Sequence, residues 1–441
     1  MKFVAFLKDS LRETMDKKSF WVLGILAILF VFLCFSISFT KVEPKEALND
    51  LVSDFGRVVG GSGQAMTAHK FDTEFTVNEI EALGEEADHL AGGYQFQLMA
   101  TPLEEFYRAV YQDRALRKGD VEKASEMTLI APDGDIEVPE PLEKDQIKYL
   151  KRHFSRGGFP WPKIERTSPG VFQVQCKPAI EQQVRGGYKM GILFGLWDLS
   201  LRGMSVNSVV MIFQLAFAEY IAGFFGVILA LIFTASFIPG MLEKGNIEIL
   251  VSKPIHRSSL LVYKYVGGLL YVFLLSVILI GGSWLALSLR SGFWNPTYLY
   301  SIGVQTFYFA ILYSVSVLFG VLWRSWIGSI LMTILAWIVF TGSCTVYSYV
   351  HMPIPLFELS PFWLSVVDTL YYILPKPSHL STLNILELAS ANLGETMMAD
   401  SGAAGEIVPE GVSWTMVLST SSAFIVAMLG LSCWRFSRKD Y

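Results

Sequence analysis

Six windows of about 20 residues are apolar almost without interruption, the length a helix needs to cross a hydrocarbon layer of ~30 Å. They are Phe20 to Phe39, a stretch within Ser208 to Phe237, Tyr265 to Leu289, Tyr300 to Leu322, Trp326 to Tyr349 and Trp414 to Trp434. A lipid interior offers no water to unpaired backbone groups, so such segments must be helical. Trp21, Trp294, Tyr298, Tyr300, Trp323, Trp326, Tyr349, Trp414 and Trp434 sit near their ends. Amphipathic rings collect there because one side meets lipid tails and the other meets headgroups. Charged residues make up 17% of the chain, against about 25% in a soluble protein. The deficit is confined to the windows, whereas Lys41 to Arg202 has an ordinary soluble composition. The expected fold class is therefore a polytopic α-helical membrane protein with six transmembrane helices. A large α+β extracytoplasmic domain lies between the first and second.

The division along the chain follows. Residues 1–18 read as an amphipathic interfacial leader helix, with Phe3, Leu7, Leu11 and Met15 on one stripe. Residues 19–40 are the first transmembrane helix, and 41–203 the extracytoplasmic domain. Residues 204–441 hold five transmembrane helices, a cytoplasmic loop at 239–264 and an outer segment at 351–411. The first window is too long for a signal-peptide core, and Ser36 to Lys41 offers no A-x-A cleavage site. Within 41–203, Asp72 to Val77, Tyr94 to Met99 and Val171 to Gln175 alternate like strands, and Pro102 to Arg117 and Glu143 to Phe154 read as helices. Phe362 to Ile373 is apolar but too short to span, and is expected on or in the outer leaflet.

Basic residues orient the chain. With the N-terminus inside, the inner segments hold Lys2, Lys8, Arg12, Lys17, Lys18, Lys244, Lys253, Arg257, Lys264, Arg324, Arg435, Arg438 and Lys439. The short outer segments hold only Arg290 and Lys376. Both termini are then cytoplasmic, in a multi-pass protein of the cytoplasmic (inner) membrane. The net charge of −5 and the lack of a basic patch argue against a nucleic-acid partner.

Catalytic and metal-binding signatures are missing. There is no G-x-x-x-x-G-K-[ST], no H-E-x-x-H and no G-x-S-x-G. The histidines are scattered, and the four cysteines form no zinc pattern. No catalytic, cofactor-binding or metal site is expected. Glu219 is the acid of the second window. At mid-membrane it would cost ~3 kcal/mol and point to a function. Tyr220 to Pro239 is long enough to span alone, so Glu219 is preferred as a candidate membrane-interface acid.

The loop at 239–264 is the most informative segment. Leu242, Ile247, Leu250 and Val251 form an apolar stripe at helical spacing, with Glu243, Lys244 and Glu248 off it. Pro254 then ends the helix. Such a segment is either a connector lying on lipid or a surface for a partner.

This loop resembles the inter-span signature of type-2 ABC exporter permeases, carried here by Glu243, Gly245, Ile247, Glu248, Leu250, Pro254, Arg257 and Lys264. The order of leader, span, outer domain and five further spans is similar, as is Tyr371 to Pro375. Within that family the likeness is nearest to permeases grouped with multicopper-enzyme maturation. Asn246 and His256 depart from the family's pattern, and 41–203 lies outside the resemblance. The resemblance implies that Glu243, Lys244, Gly245, Ile247, Glu248, Leu250, Pro254 and Arg257 form a coupling helix docking into a separate ABC ATP-binding subunit. It also implies a second permease copy, in a homodimer or related heterodimer. ATP and Mg would be bound in the partner ATPase, and no cofactor by this chain. The partners expected are thus the ATPase, the second copy, membrane lipid and, as a further candidate, an extracytoplasmic protein. The leading function is a permease subunit moving an unidentified substrate. One alternative is a non-transporting ABC membrane subunit that transmits force to an extracytoplasmic partner. Another is a membrane-anchored enzyme with its site in the outer domain.

Overall fold

The apolar windows become helices because nothing else satisfies their backbone in lipid. The computed structural model describes residues 18–53, 55, 57–60, 67–83, 93–118, 139–178, 184–185, 187–201, 204–242, 256–351, 360–388 and 412–438. Five helices in it are long and apolar enough to cross a membrane: Val206–Met241, Ser258–Ser291, Pro296–Trp323, Trp326–Val350 and Trp414–Arg438. The chain is a multi-pass helical membrane protein. The leader at 1–17 lies outside the described residues.

In chain order the elements are α1 (Lys18–Phe35), β1 (Ser38–Lys41), α2 (Pro44–Ser53), β2 (Arg57–Gly60), β3 (Thr67–Lys70), β4 (Glu74–Ala82) and β5 (Tyr94–Thr101). Then come α3 (Leu103–Lys118), α4 (Glu143–Arg156), β6 (Lys163–Ser168), β7 (Val171–Cys176), β8 (Tyr188–Ile192) and β9 (Trp197–Ser200). The helical part comprises α5 (Val206–Met241), α6 (Ser258–Ser291), α7 (Tyr300–Trp323), α8 (Trp326–Val350), α9 (Pro361–Ile373), α10 (377–388) and α11 (Trp414–Arg438).

The first window departs from expectation. α1 stops at Phe35, because Ser38 and Phe39 pair as a strand with Gly191 and Met190. Its apolar part, Trp21–Phe35, is shorter than the five candidate spans.

The β-rich region is built on one antiparallel sheet in the order β4-β5-β7-β6. Alternation decides its faces. Phe96 and Leu98 of β5 and Phe172 and Val174 of β7 point into a closed core. There they meet Leu48 and Leu51 of α2, Phe106 and Val110 of α3, and Tyr149, Leu150 and Phe154 of α4. Each fully buried ring or branched chain contributes ~1.5–3 kcal/mol. The other face carries Gln95 and Gln175, joined by a 2.8 Å hydrogen bond. Pro169 and Gly170 turn β6 into β7. Gly170 has φ +74°, which the second corner of a type II turn requires.

A smaller sheet, β1-β8-β9, fastens this region to the helices. Ile37, Tyr188 and Met190 pack with Cys34 of α1, Val206 and Val210 of α5 and Leu287 of α6. Arg290 of α6 donates from Nε to the Ile37 carbonyl at 2.9 Å. The ends of α1 and α6 and the start of α5 therefore gather at this sheet. At the opposite end, Ser258 of α6 meets Ser437 of α11, with their hydroxyls 3.0 Å apart.

The bundle is organised around α7. In the most apolar window of that span 61% of the residues are buried, against 17% to 44% in the other four. Small and hydroxylic residues let neighbours approach it closely. A Cβ on Gly268 would lie 2.6 Å from the Tyr313 ring. Tyr265 stacks on Tyr313 at 5.3 Å and donates to the Ala310 carbonyl at 2.9 Å. Ser316 of α7 and Ser329 of α8 pair their hydroxyls at 2.8 Å.

Two helices carry π-helical stretches, Phe217–Gly226 in α5 and Val277–Gly281 in α6. α9, in the segment expected at the outer leaflet, leaves Phe362, Trp363, Tyr372 and Ile373 exposed. Its Tyr371 stacks on Tyr347 of α8 at 3.6 Å. α10 lies against the sheet-side ends of α7 and α11 through Leu380, Leu383, Val304 and Val417. Just before it, Lys376 is fully buried and donates to the Leu374 carbonyl at 3.3 Å and to Thr420 Oγ1 at 3.2 Å.

Candidate functional site

Two places carry the residues singled out by sequence. The first is the loop between α5 and α6. Glu243, Lys244, Gly245, Ile247, Glu248, Leu250 and Pro254 lie outside the described residues. Arg257 opens the helix that continues as α6, Arg257–Ser276, and His256 before it is its exposed N-cap residue. The flanks are firmly placed. Met241 and Leu242 on one side and Leu260 and Leu261 on the other are buried in one cluster with Val321 and Phe436. The loop thus leaves and re-enters the bundle at the end opposite the sheets. Arg324, Arg435 and Arg438 occupy the same end.

The second place surrounds Glu219. Its position in α5 leaves Tyr220–Met241 beneath it, about 33 Å of helix at ~1.5 Å per residue. Glu219 is half-buried and accepts a hydrogen bond from Ser381 of α10. Among the described residues no cationic side chain lies within ion-pairing distance of it. Glu219 faces a cavity of about 190 Å³, walled by α5, α7, α8 and α10. Gln305, Tyr308, Trp337, Thr341 and Asn384 also line it.

The wall is built from the π-helical stretch upward. An i→i+5 pattern disturbs the normal carbonyl ladder, and π segments are frequent at functional sites. Gln305 answers the disturbance, donating from Nε2 to the Ala222 carbonyl at 2.5 Å and toward that of Gly223 at 3.5 Å. Trp337 donates from Nε1 to the Tyr308 hydroxyl at 2.6 Å. Asn384 donates to Ser301 Oγ at 2.9 Å. Thr341 Oγ1 is buried without a partner. An apolar cavity of about 380 Å³ lies on the far side of Gln305, between α1, α5 and α6.

Sequence reading found Glu219 but not its companions. Gln305 had a usable signal, since it is an amide inside a long apolar window. Ser381 and Asn384 had none, because they are ordinary hydroxyl and amide side chains outside the apolar windows.

The β-rich region offers its ionisable groups to structure. Arg152 pairs with the buried Asp113 at 2.7 Å and Arg114 with Asp145 at 2.9 Å, tying α3 to α4. Burial pushes the Cys176 thiol and the Tyr149 phenol well above their usual range. Tyr149 donates to the Phe55 carbonyl. Among the described residues no group of His, Cys, Asp and Glu is arranged to hold a metal.

With this geometry in place, comparison with known proteins identifies a family. The model of the ABC-2 family transporter proteins covers residues 4–441, so the chain belongs to that family. No curated protein and no solved structure matches it. Membership makes the chain a non-catalytic membrane subunit of the ABC type and implies an ATP-binding subunit as partner.

Proposed function

Starting from that membership, we propose that the chain is the permease subunit of an ABC transporter, moving its substrate across the cytoplasmic membrane on ATP hydrolysed by a separate subunit. The observation that carries this reading is the family match across nearly the whole chain. In this reading α1 is a sixth span, the β-rich region lies outside, and both termini are cytoplasmic. The clustering of Arg324, Arg435 and Arg438 at the end away from the sheets supports that orientation. Glu243 to Leu250 is the coupling helix, and ATP and Mg bind in the partner. Two copies of the chain, or one copy with a related chain, form the membrane unit. A second reading, force transmission to an extracytoplasmic protein, draws support from the direct attachment of α1, α5 and α6 to the β1-β8-β9 sheet.

The test is the loop. Buried apolar anchors dominate such contacts, each contributing ~1–3 kcal/mol, and rim charges contribute less. Leu250→Asp is expected to abolish copurification of the ATPase while the protein remains inserted. Lys244→Ala weakens association mildly, and Gly245→Cys cross-links to the ATPase. A full complement of ATPase on the Leu250→Asp protein, with coupled activity retained, would remove the loop from this role.

A further inference from the structure

We propose that the cavity beside Glu219 binds a primary ammonium group, carried by a free alkylamine or by a lipid headgroup. Three observations combine. The cavity, about 190 Å³, exceeds the ~30 Å³ share of one water several-fold, so it accepts an ammonium and a few carbons. No basic residue lines it, and Glu219 has no cationic partner among the described residues. A carboxylate in a membrane helix is costly until its charge is offset, so the cavity selects for a cation.

The acceptors decide which cation. Ser381 engages one carboxylate oxygen of Glu219, leaving the other for a ligand. Gln305 uses its amide nitrogen on the π-helix carbonyls, which leaves its Oε1 as an acceptor. These two acceptors answer N–H groups that a primary ammonium carries. A quaternary ammonium would leave both unanswered. The rings of Phe224, Tyr308 and Trp337 also line the cavity. The site does not depend on the transport reading. It is a property of the folded chain whether or not an ATPase is bound.

The test uses full-length protein in phosphatidylglycerol nanodiscs, titrated with propylammonium chloride or tetramethylammonium chloride at equal ionic strength. Propylammonium is expected to raise the unfolding temperature saturably, and tetramethylammonium to do so far more weakly. Charge-assisted hydrogen bonds set the scale, so Glu219→Gln should weaken propylammonium binding about tenfold or more. Discs containing phosphatidylethanolamine separate the sources. Lipid that blocks propylammonium and is retained in native mass spectra marks a headgroup as the ligand. Unimpeded propylammonium binding marks a free amine. Equal binding of the two ammonium ions, undiminished binding to Glu219→Gln, or no binding of either amine or lipid to the wild-type protein would each overturn the proposal. Should Glu219→Gln fail to fold, the contrast between the two ammonium ions still decides it.

Discussion

The β-rich region and the helical bundle put their polar groups in opposite places. In the β-rich region aromatic rings fill the interior, Phe96, Phe154 and Phe172 among them, and glutamines face outward. In the bundle the interior holds Ser314, Ser316, Gln305 and Lys376, while Ile327, Leu331, Leu335 and Ile338 are exposed. One solvent explains the first arrangement and another the second. In water, removing apolar surface stabilises the fold. In lipid that drive is lost, and close packing with internal hydrogen bonds must replace it. The same kind of substitution should therefore act differently in the two regions.

The largest effect expected is sidedness. A thiol at the exposed Trp161 and one at Gly245 should react from opposite sides of the membrane. Trp161→Cys is expected to be labelled by an impermeant maleimide in intact cells, and Gly245→Cys only after permeabilisation. The reverse pattern would turn the proposed orientation over.

Next in size is the aromatic core. Phe172→Ala should destabilise the β-rich region by about 3–5 kcal/mol. The β-rich region carries a buried thiol, Cys176 in β7, and the helices carry two, Cys34 in α1 and Cys344 in α8. Burial keeps the Cys176 thiol protonated at neutral pH and unreactive. Pulse labelling read by mass spectrometry should then show early exposure of Cys176 with Cys344 still protected. Simultaneous labelling would mean the two regions unfold as one.

Packing in the bundle comes third. Gly268→Val drives a branched side chain into the Tyr313 ring, at about 1–3 kcal/mol. Cys344 should become labelled at lower temperature, with Cys176 little affected. The smallest effect belongs to the outward face of the sheet. Gln95→Ala removes a partly exposed hydrogen bond to Gln175 and should change stability by about 0.5 kcal/mol or less.

How much of this the sequence revealed depends on which solvent a segment meets. Five spans lie where the apolar windows lie, because lipid demands uninterrupted apolarity. Tyr94 to Met99 was readable as a strand because only alternate residues are buried. β6, with the sequence Lys163-Ile-Glu-Arg-Thr-Ser168, carries little alternation of its own, and its register against β7 holds it in place. β8 is buried partly against helices α1, α5 and α6, which blurs its period. The π-helical stretches leave no mark in composition. Glu219 could be found, but Ser381, its partner 162 residues away, could not. The loop from Glu243 to Pro254 lies outside the described residues, and its reading as a docking element rests on the resemblance.

The joint between α1 and β1 has a mechanical consequence. Only Ser36 and Ile37 separate helix from strand, and both are held: Ser36 Oγ donates to the Leu33 carbonyl, and Ile37 receives Arg290. A link this short has almost no slack. If α1 tilts against α5, the angle has nowhere to dissipate and reappears as a rotation of the β1-β8-β9 sheet. A tilt of α1 would therefore be passed to β1 directly, with no loop between them to absorb it.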